Sequence, residues 1–511
     1  MPSPGSTPRF NALAWRTALA AGAGLAAVFA FAPFGFWPLA PLALLFLFYL
    51  LRRAPRAGAL TGLAFGCGFF GLGVSWIYYS LHDFGYMPVP LAVVMVVLFV
   101  LMMALYPMLV GFVARFAGAP WHWWLTLPAV WVALEWARGW MLTGFPWLAL
   151  GYSQIDSPLA GYAPYLGVYG VSLAVALTAA LVLEAGMSHG RRRAGFLAAT
   201  LALWALPLAL DRVPWVKPYG PPLQAALVQG NVPLALKWDP EWRERILQRY
   251  VALSLDEKQA DLIVWPETAA PFYVDELAAR VFPTLQAAAR ERGQTFVLGA
   301  IERQGATPQA QVFNSVVVIA PAIGLYRKQH LVPFGEFLPL RPLLGWLLDY
   351  MHIPMSDFTR WQGPQPALAA GSQRLGISVC YEDAFGEEVI QALPAATVLV
   401  NVSEDAWFGD SFAPYQHLEI ARMRARETRR PLLRATNTGV SAIIAGDGRV
   451  QATGGYGRLT VVRADVQPSE GATPYVLWGN GPIVLFCILV TVGPVLWARL
   501  SPRGRRGLSL E

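Results

Sequence analysis

LGISVCYED, residues 375–383, is a run of β-forming residues that reaches a cysteine and then turns polar. Its length and its Ile and Val content predict a buried strand. Seven further runs share its character: PLQAALVQG (222–230), DLIVWPE (261–267), QTFVLGAI (294–301), FNSVVVIA (313–320), AATVLVNVS (395–403), RPLLRATN (430–437) and VSAIIAG (440–446). Helical patterns intervene at about 240–259, 276–292, 384–393 and 414–429. Mixed strands and helices of this kind predict a layered α/β domain, a sheet covered by helices. Ligands of such sheets bind beyond the strand ends, and three runs end in reactive residues. DLIVWPE ends in Glu267, LGISVCYE carries Cys380, and AATVLVNVS leads into the polar turn SEDAW. Lys328 follows the apolar strand that begins at Asn314, and Glu336 comes eight residues after it. Chemistry is expected at one rim.

Outside this domain the chain changes character. Of 511 residues 55% are hydrophobic and 14% charged, with a mean hydropathy of +0.43. Soluble domains are roughly a quarter charged, so a polytopic membrane protein is the expected class. Apolar stretches fall at 13–32, 37–51, 59–80, 89–114, 122–140, 163–186, 195–211 and 478–498. A helix needs about 20 apolar residues to cross the hydrocarbon core, which gives about eight transmembrane helices, the second one short. The first stretch is long and lacks a small-residue cleavage site before the next apolar run, so it reads as a retained helix rather than a signal peptide.

The net charge of +7 and pI near 9.3 do not point to nucleic acid, because the arginines sit in short clusters beside apolar runs. Positive charge in short loops stays cytoplasmic. Arg9 and Arg16, Arg52, Arg53 and Arg56, Arg115, Arg191 to Arg193, and Arg499, Arg503, Arg505 and Arg506 all fall on one side when eight helices are threaded in order. The opposite loops, around 33–36, 81–88 and 141–162, contain no Arg or Lys. Both termini are then expected in the cytoplasm. The expected organisation is a membrane domain of seven helices (1–211), an extracytoplasmic catalytic domain (212–477), and a last helix with a cytoplasmic tail (478–511).

Two features of the membrane portion go beyond anchoring. Glu135 and Arg138, in WVALEWARGW, share one helical face. Charges at membrane depth are paired or functional. Two readings stay open: a structural ion pair, or a grip on a lipid headgroup. The stretch TGFPWLALGYSQ, rich in Gly, Pro and aromatic residues, reads as an interfacial or re-entrant loop that frames a lateral entrance for lipid.

Of the three cysteines, Cys67 and Cys487 lie in apolar runs, and Cys380 alone sits in polar sequence. That excludes a disulfide framework. A thiolate is a good nucleophile and a good leaving group, as an acyl carrier must be. It needs a base or a positive charge nearby. A carboxylate at a strand end such as Glu267 is partly desolvated, which raises its basicity toward the useful range. A lysine such as Lys328 stabilises an oxyanion through its fixed charge. From the residues alone, an inert buried thiol, a solvated carboxylate and a surface lysine beside Arg327 remain equally open, since about 60 and 50 residues separate the three.

The segments WPE (265–267), YRKQHLVPFGEFLP (326–339) and GISVCYED (376–383) resemble the Glu, Lys and Cys motifs of the nitrilase or carbon–nitrogen hydrolase superfamily. With the eight apolar spans, and with QGNVPLALKWDP, EWARGWMLTGFPWLALGYSQ and DAWFGDSFAPYQHLEIARMRARETRRPLLRATNTGVSAII, the chain is similar over nearly its whole length to one membrane branch, the apolipoprotein N-acyltransferase family. The resemblance implies an αββα sandwich in which Glu267 is general base, Lys328 oxyanion stabiliser and Cys380 nucleophile. It further implies that Glu336, Tyr381 and Glu382 support the site and that Trp238 and Trp407 bind substrate from mobile loops. Glu404 departs from the pattern, standing where Asn is expected and adding a negative charge at the rim.

The implied reaction moves the sn-1 acyl chain of a phospholipid, expected to be phosphatidylethanolamine, through a Cys thioester to the α-amino group of the N-terminal diacylglyceryl cysteine of an apolipoprotein. The implied setting is a bacterial inner membrane with the catalytic domain periplasmic, and a monomer is expected. A membrane-tethered amidase would use the same three residues with water as acceptor. A lipid transporter would leave Cys380 incidental, and it would show inverted repeats that the sequence lacks. The six histidines lie without metal-ligand spacing and no phosphate-cradling Gly motif is present. No cofactor is expected.

Overall fold

The computed structural model describes residues 7–115, 123–305, 310–320, 322–338, 345 and 357–500. It divides into two compact units, one of Met1–Ser75, Val93–Val213 and Trp478–Glu511, the other of Trp76–Ala92 and Pro214–Leu477.

All eight apolar stretches are helical, at Thr7–Val28, Leu39–Arg53, Gly58–Gly73, Val89–Ala114, Trp123–Arg138, Ala163–Met187, Gly190–Leu210 and Gly481–Leu500. Among the described residues three helices, Val89–Ala114, Pro158–Met187 and Gly190–Leu210, are long and apolar enough to cross a membrane unbroken. Pro55–Gly73 and Ile77–Phe84 qualify together as a fourth, bent by 61°. Small residues let these helices touch closely. A Cβ at Gly58 would lie 2.2 Å from the Gly111 carbonyl oxygen, and one at Gly62 would lie 2.0 Å from that of Pro107. This is how helices associate where lipid removes the hydrophobic drive. Arg52 forms an ion pair with Glu184, tying helix Leu39–Arg53 to helix Ala163–Met187.

Glu135 and Arg138 are both buried, but no ion pair joins them among the described residues. Each serves the loop that follows. Glu135 accepts the Leu150 N–H at 2.9 Å and the Trp131 indole N–H at 3.3 Å. Arg138 donates to the carbonyls of Phe145 and Trp147. The expected ion pair is thus a double brace, because a loop buried at this depth must have its backbone groups satisfied by side chains. Residues 145–155 are folded into the unit, with Trp147 and Gln154 almost wholly buried and Leu148 left-handed (φ +58°).

Among the described residues the second unit contains fourteen strands. They are β1 (Val216–Pro218), β2 (Leu223–Gln229), β3 (Leu262–Val264), β4 (Thr295–Gln304), β5 (Gln311–Ile319), β6 (Ile323–Arg327), β7 (Leu368–Ala370), β8 (Gln373–Val379), β9 (Val398–Ser403), β10 (Leu432–Thr436), β11 (Ala442–Ile444), β12 (Val450–Thr453), β13 (Thr460–Val466) and β14 (Ser469–Gly471). Two six-stranded sheets result, ordered β13-β2-β3-β4-β5-β6 and β12-β11-β10-β9-β8-β7. β1 and β14 pair where the chain enters and leaves this portion.

Strands such as VLVNV at 398–402 are buried on both faces, so the sheets stack. Leu227, Val264, Val297 and Val316 of one sheet share a core with Leu375, Val379, Val400 and Leu433 of the other. Helices Pro240–Asp256, Val274–Arg280 and Phe282–Arg292 cover the outer face of the first sheet. Helix Ala413–Thr428 covers that of the second. The αββα layering follows.

Every predicted strand is present. The predicted helix at 276–292 is two, because Pro283 starts a new helix and cannot continue the old one. That at 384–393 shrinks to the turns Gly386–Val389 and Ile390–Ala392, stopped by Pro394. Between the strand that contains Asn314 and Lys328 lies a further strand, β6, antiparallel to β5 with Ser315 opposite Arg327.

Topology sets the rim. β2, β3 and β4 are parallel, as are β8, β9 and β10. β6, antiparallel to β5 and hence aligned with β4, ends at the same edge as β3. Lys328 and Glu267 therefore leave their strands at the same edge of the sheet.

Candidate active site

Glu267 lies three residues beyond β3, in a turn whose next residue, Thr268, has φ +42°. The turn fits because β4 has a glycine opposite it. A Cβ at Gly299 would stand 2.2 Å from the Pro266 carbonyl oxygen and 2.6 Å from Glu267 Cα. The Glu267 carboxylate is buried and fully engaged. Oε1 accepts the Asn314 amide at 2.6 Å and faces Lys328 Nζ at 3.5 Å. Oε2 accepts the Glu404 N–H at 2.9 Å.

Lys328 is 1% exposed. Its backbone N–H donates to the Asn314 carbonyl at 2.8 Å. Its Nζ donates to Glu336 Oε1 at 2.9 Å. Glu336 is held by the Val332 N–H at 2.8 Å and the Asn314 amide at 3.1 Å. Asn314 thus joins both carboxylates, and the sequence reading passed over it. Its signal was a polar residue inside the run FNSVVVIA.

Cys380 directly follows β8 and lies in the left-handed region, with φ +52°. Such a conformation costs an L residue about 1–2 kcal/mol, and it turns the strand sharply into the 3₁₀ turn Cys380–Ala384. The Asn401 amide donates to the Cys380 carbonyl at 3.1 Å. Burial pushes the thiol well above its ordinary pKa, the negative charge of Glu267 adds to this, and Lys328 opposes it. The structure therefore brings Glu267, Lys328 and Glu336 into one hydrogen-bonded cluster, in which the charges of Glu267 and Lys328 act on the Cys380 thiol. For Lys328, burial opposes the charged form, but Glu336 and then Glu267 outweigh it and raise the pKa. The site at rest holds a neutral thiol and a charged lysine.

Glu382 is buried behind the turn. Oε1 accepts the N–H groups of Gln329 and His330, and Oε2 accepts the Tyr326 hydroxyl at 2.9 Å. It ties the Lys328 segment to the Cys380 turn. Tyr381 packs edge-on against Phe385 and His330 at 5.0 and 5.8 Å between ring centres. Trp238 and Trp407 are half-buried. The Trp407 carbonyl accepts the Ser80 hydroxyl at 2.7 Å, and its ring meets Phe84 at 6.0 Å.

The added charge of Glu404 has a partner. Lys237, one residue before Trp238, donates from Nζ to Glu404 Oε2 at 2.8 Å and to the Glu267 carbonyl at 3.2 Å. Beneath the rim lies a fully buried quartet. Arg434 donates to Asp383 Oδ2 at 3.1 Å and to Asp405 Oδ2 at 2.9 Å. The ring nitrogens of His417 reach the same two carboxylates at 2.9 and 3.1 Å. Sequence reading missed Lys237 and the quartet, because their partners lie 167 residues away in one case and 12 to 51 in the other.

Residues 23–181 match the apolipoprotein N-acyltransferase N-terminal domain, and residues 224–475 match the carbon–nitrogen hydrolase domain. The chain is 44% identical over 477 residues to the apolipoprotein N-acyltransferase of Methylococcus capsulatus, covering 92% of this chain and 94% of that one. It is 42% identical over 480 residues to that of Nitrosomonas europaea, with 92% and 95% covered. For the Azotobacter vinelandii protein the values are 40% over 502 residues, 96% and 97%. Both domains in order, and relatives matched end to end, show that the chain belongs to the apolipoprotein N-acyltransferase family.

Proposed function

We propose that the chain transfers an acyl group from the sn-1 position of a phospholipid, through a thioester on Cys380, to the α-amino group of the N-terminal diacylglyceryl cysteine of an apolipoprotein. Family membership supports the overall reaction. The observation that carries the mechanism is the hydrogen-bonded cluster of Glu267, Lys328 and Glu336, in which the charges of Glu267 and Lys328 act on one buried thiol.

Because the thiol rests protonated, attack on the ester needs a base. Glu267 takes the proton as sulfur bonds to the ester carbonyl carbon, and the oxygen of the tetrahedral intermediate gains negative charge beside Lys328. The intermediate collapses by breaking the carbon–oxygen bond. Glu267 returns the proton to the departing lysophospholipid hydroxyl. The lipoprotein amine then attacks the thioester, Glu267 accepts the amine proton, and the thiolate leaves and is reprotonated. Glu336 keeps Lys328 in place, while Tyr381 and Glu382 hold the turn. Trp238 and Trp407 line the acyl and headgroup path. Phosphatidylethanolamine is the expected donor.

The wider reading includes about eight membrane spans with both termini cytoplasmic, and a domain at 212–477 on the periplasmic side of a bacterial inner membrane, acting as a monomer. The distribution of arginines supports it. Mass spectrometry of the protein after exposure to phospholipid tests the chemistry. An acyl adduct on Cys380 that is absent from Cys380→Ala is expected, and an adduct persisting in that variant sinks the assignment. Adding a diacylated lipopeptide should discharge the adduct and yield a triacylated product. Hydrolysis without transfer would instead indicate an amidase-like enzyme.

A further inference from the structure

Glu404 puts a second carboxylate next to the proposed base. Left alone, it would disfavour the ionised form of Glu267. It is not left alone. The Glu404 and Lys237 side chains are 3% and 2% exposed and 2.8 Å apart. Both also hold Glu267 directly, Lys237 by its carbonyl at 3.2 Å and Glu404 by a backbone N–H to Oε2 at 2.9 Å. Asn437 donates to Glu404 Oε2 at 2.9 Å and locks Val232 through its N–H and carbonyl. The segment before Trp238 and the segment before Trp407 are thereby fastened to each other across the base.

We propose that Lys237 and Glu404 are positioning residues that act as a balanced charge pair, fixing the geometry of Glu267 and keeping its protonation independent of the extra carboxylate. This rests on Glu267 being the base. The other groups facing Glu267 are Lys328, Glu336, the Cys380 thiol and the neutral Asn314 amide. None of them changes when the pair is altered.

The two members push Glu267 in opposite directions, which a purely mechanical role would not do. Removing the negative charge by Glu404→Gln leaves Lys237 unbalanced and favours ionised Glu267. Removing the positive charge by Lys237→Met leaves Glu404 unbalanced and favours the protonated form. The test uses the full-length protein in detergent and a fluorescent phosphatidylethanolamine, following the rate of acyl-enzyme formation against pH. This half-reaction excludes the titration of the acceptor amine. The acid limb of the profile should move down by about one pH unit in Glu404→Gln and up by about one unit in Lys237→Met. In the double variant Lys237→Met/Glu404→Gln it should return to its original position.

Limbs that stay put, or that move in the same direction in both single variants, overturn the proposal. If Lys237→Met fails to fold, Glu404→Gln and Glu404→Asn, which both keep Lys237, must each lower the limb, and failure to do so is equally decisive. Glu267→Gln separates the two levels of the argument. Acyl-enzyme forming there at the original rate removes the base assignment itself, whereas its loss together with unmoved limbs removes only the role of the pair.

Discussion

Glu382 accepts the backbone N–H of Val379 at 2.7 Å, three residues back along its own chain. Val379 immediately precedes the nucleophile, so the carboxylate fixes the strained turn from inside. Glutamine at 382 would have to present an NH₂ group to one of the two pairs of donors now facing the carboxylate oxygens. Losing hydrogen bonds to a buried charged group costs about 1.5–3 kcal/mol, so acyl-enzyme formation in Glu382→Gln should slow roughly ten- to a hundredfold. Single-turnover rates with fluorescent phospholipid would measure it, and an unchanged rate would show that the brace is dispensable.

Asn314 offers a similar test on the opposite side of the site. Its amide links the base to Glu336. Asn314→Leu leaves two carboxylates short of a donor around Lys328, and the same assay should show a loss of about tenfold to a hundredfold. Far-ultraviolet circular dichroism should remain unchanged.

A methyl group placed at Gly299 must displace the backbone that carries Glu267. Overpacking of this kind costs about 1–3 kcal/mol. Gly299→Ala should lower the unfolding temperature and, by moving the base, reduce acyl-enzyme formation more than the stability loss explains. Normal activity in a merely destabilised variant would contradict this.

Stability should also depend on pH in a definite direction. Burial, and then Glu388, raise the Glu382 carboxyl to about 7 from its ordinary 4.5. For His417, burial and Arg434 disfavour the charged ring, but Asp383 and Asp405 outweigh them and raise its pKa. Groups raised in the folded state contribute stability that is complete below their unfolded values and is lost as pH climbs through the folded ones. For Glu382 that window runs from 4.5 to about 7, and for His417 it opens at 6.5. For Asp405, burial is overcome by Arg434 and His417, which hold its carboxyl below the ordinary 3.8. Its contribution is present above that value and lost in stronger acid. Thermal unfolding in detergent should therefore peak at about pH 4 and weaken by pH 8. His417→Gln should flatten the alkaline side of the curve.

What the sequence revealed and what it hid follow from the range of the interactions. Largely apolar runs such as SVVVI and VLVNV announce buried strands because burial on both faces leaves few polar positions. β13 escaped notice because TVVRADV is half exposed and alternates with Arg463 and Asp465. Motif resemblance pointed to Glu267, Lys328 and Cys380. It could not show that Asn314 joins their partners, or that Lys237 answers Glu404, since only folding brings those side chains together. The direct ion pair between Glu135 and Arg138 is missing among the described residues for a related reason. Helical spacing put them on one face, but unsatisfied carbonyls and N–H groups in the next loop compete for the same charges.

One loop of the membrane portion belongs to the catalytic unit. Residues 76–92 are part of it, with Trp76 edge-on to Phe408 at 4.7 Å and the Ser80 hydroxyl on the Trp407 carbonyl. The enzymatic half is therefore discontinuous in the gene. A soluble fragment cut at 212 and 477 would retain every residue of the proposed triad yet expose the indole of Trp407 and the ring of Phe408. Truncation would remove structure as well as the anchor, so the inactivity of such a fragment would not by itself measure the need for a bilayer.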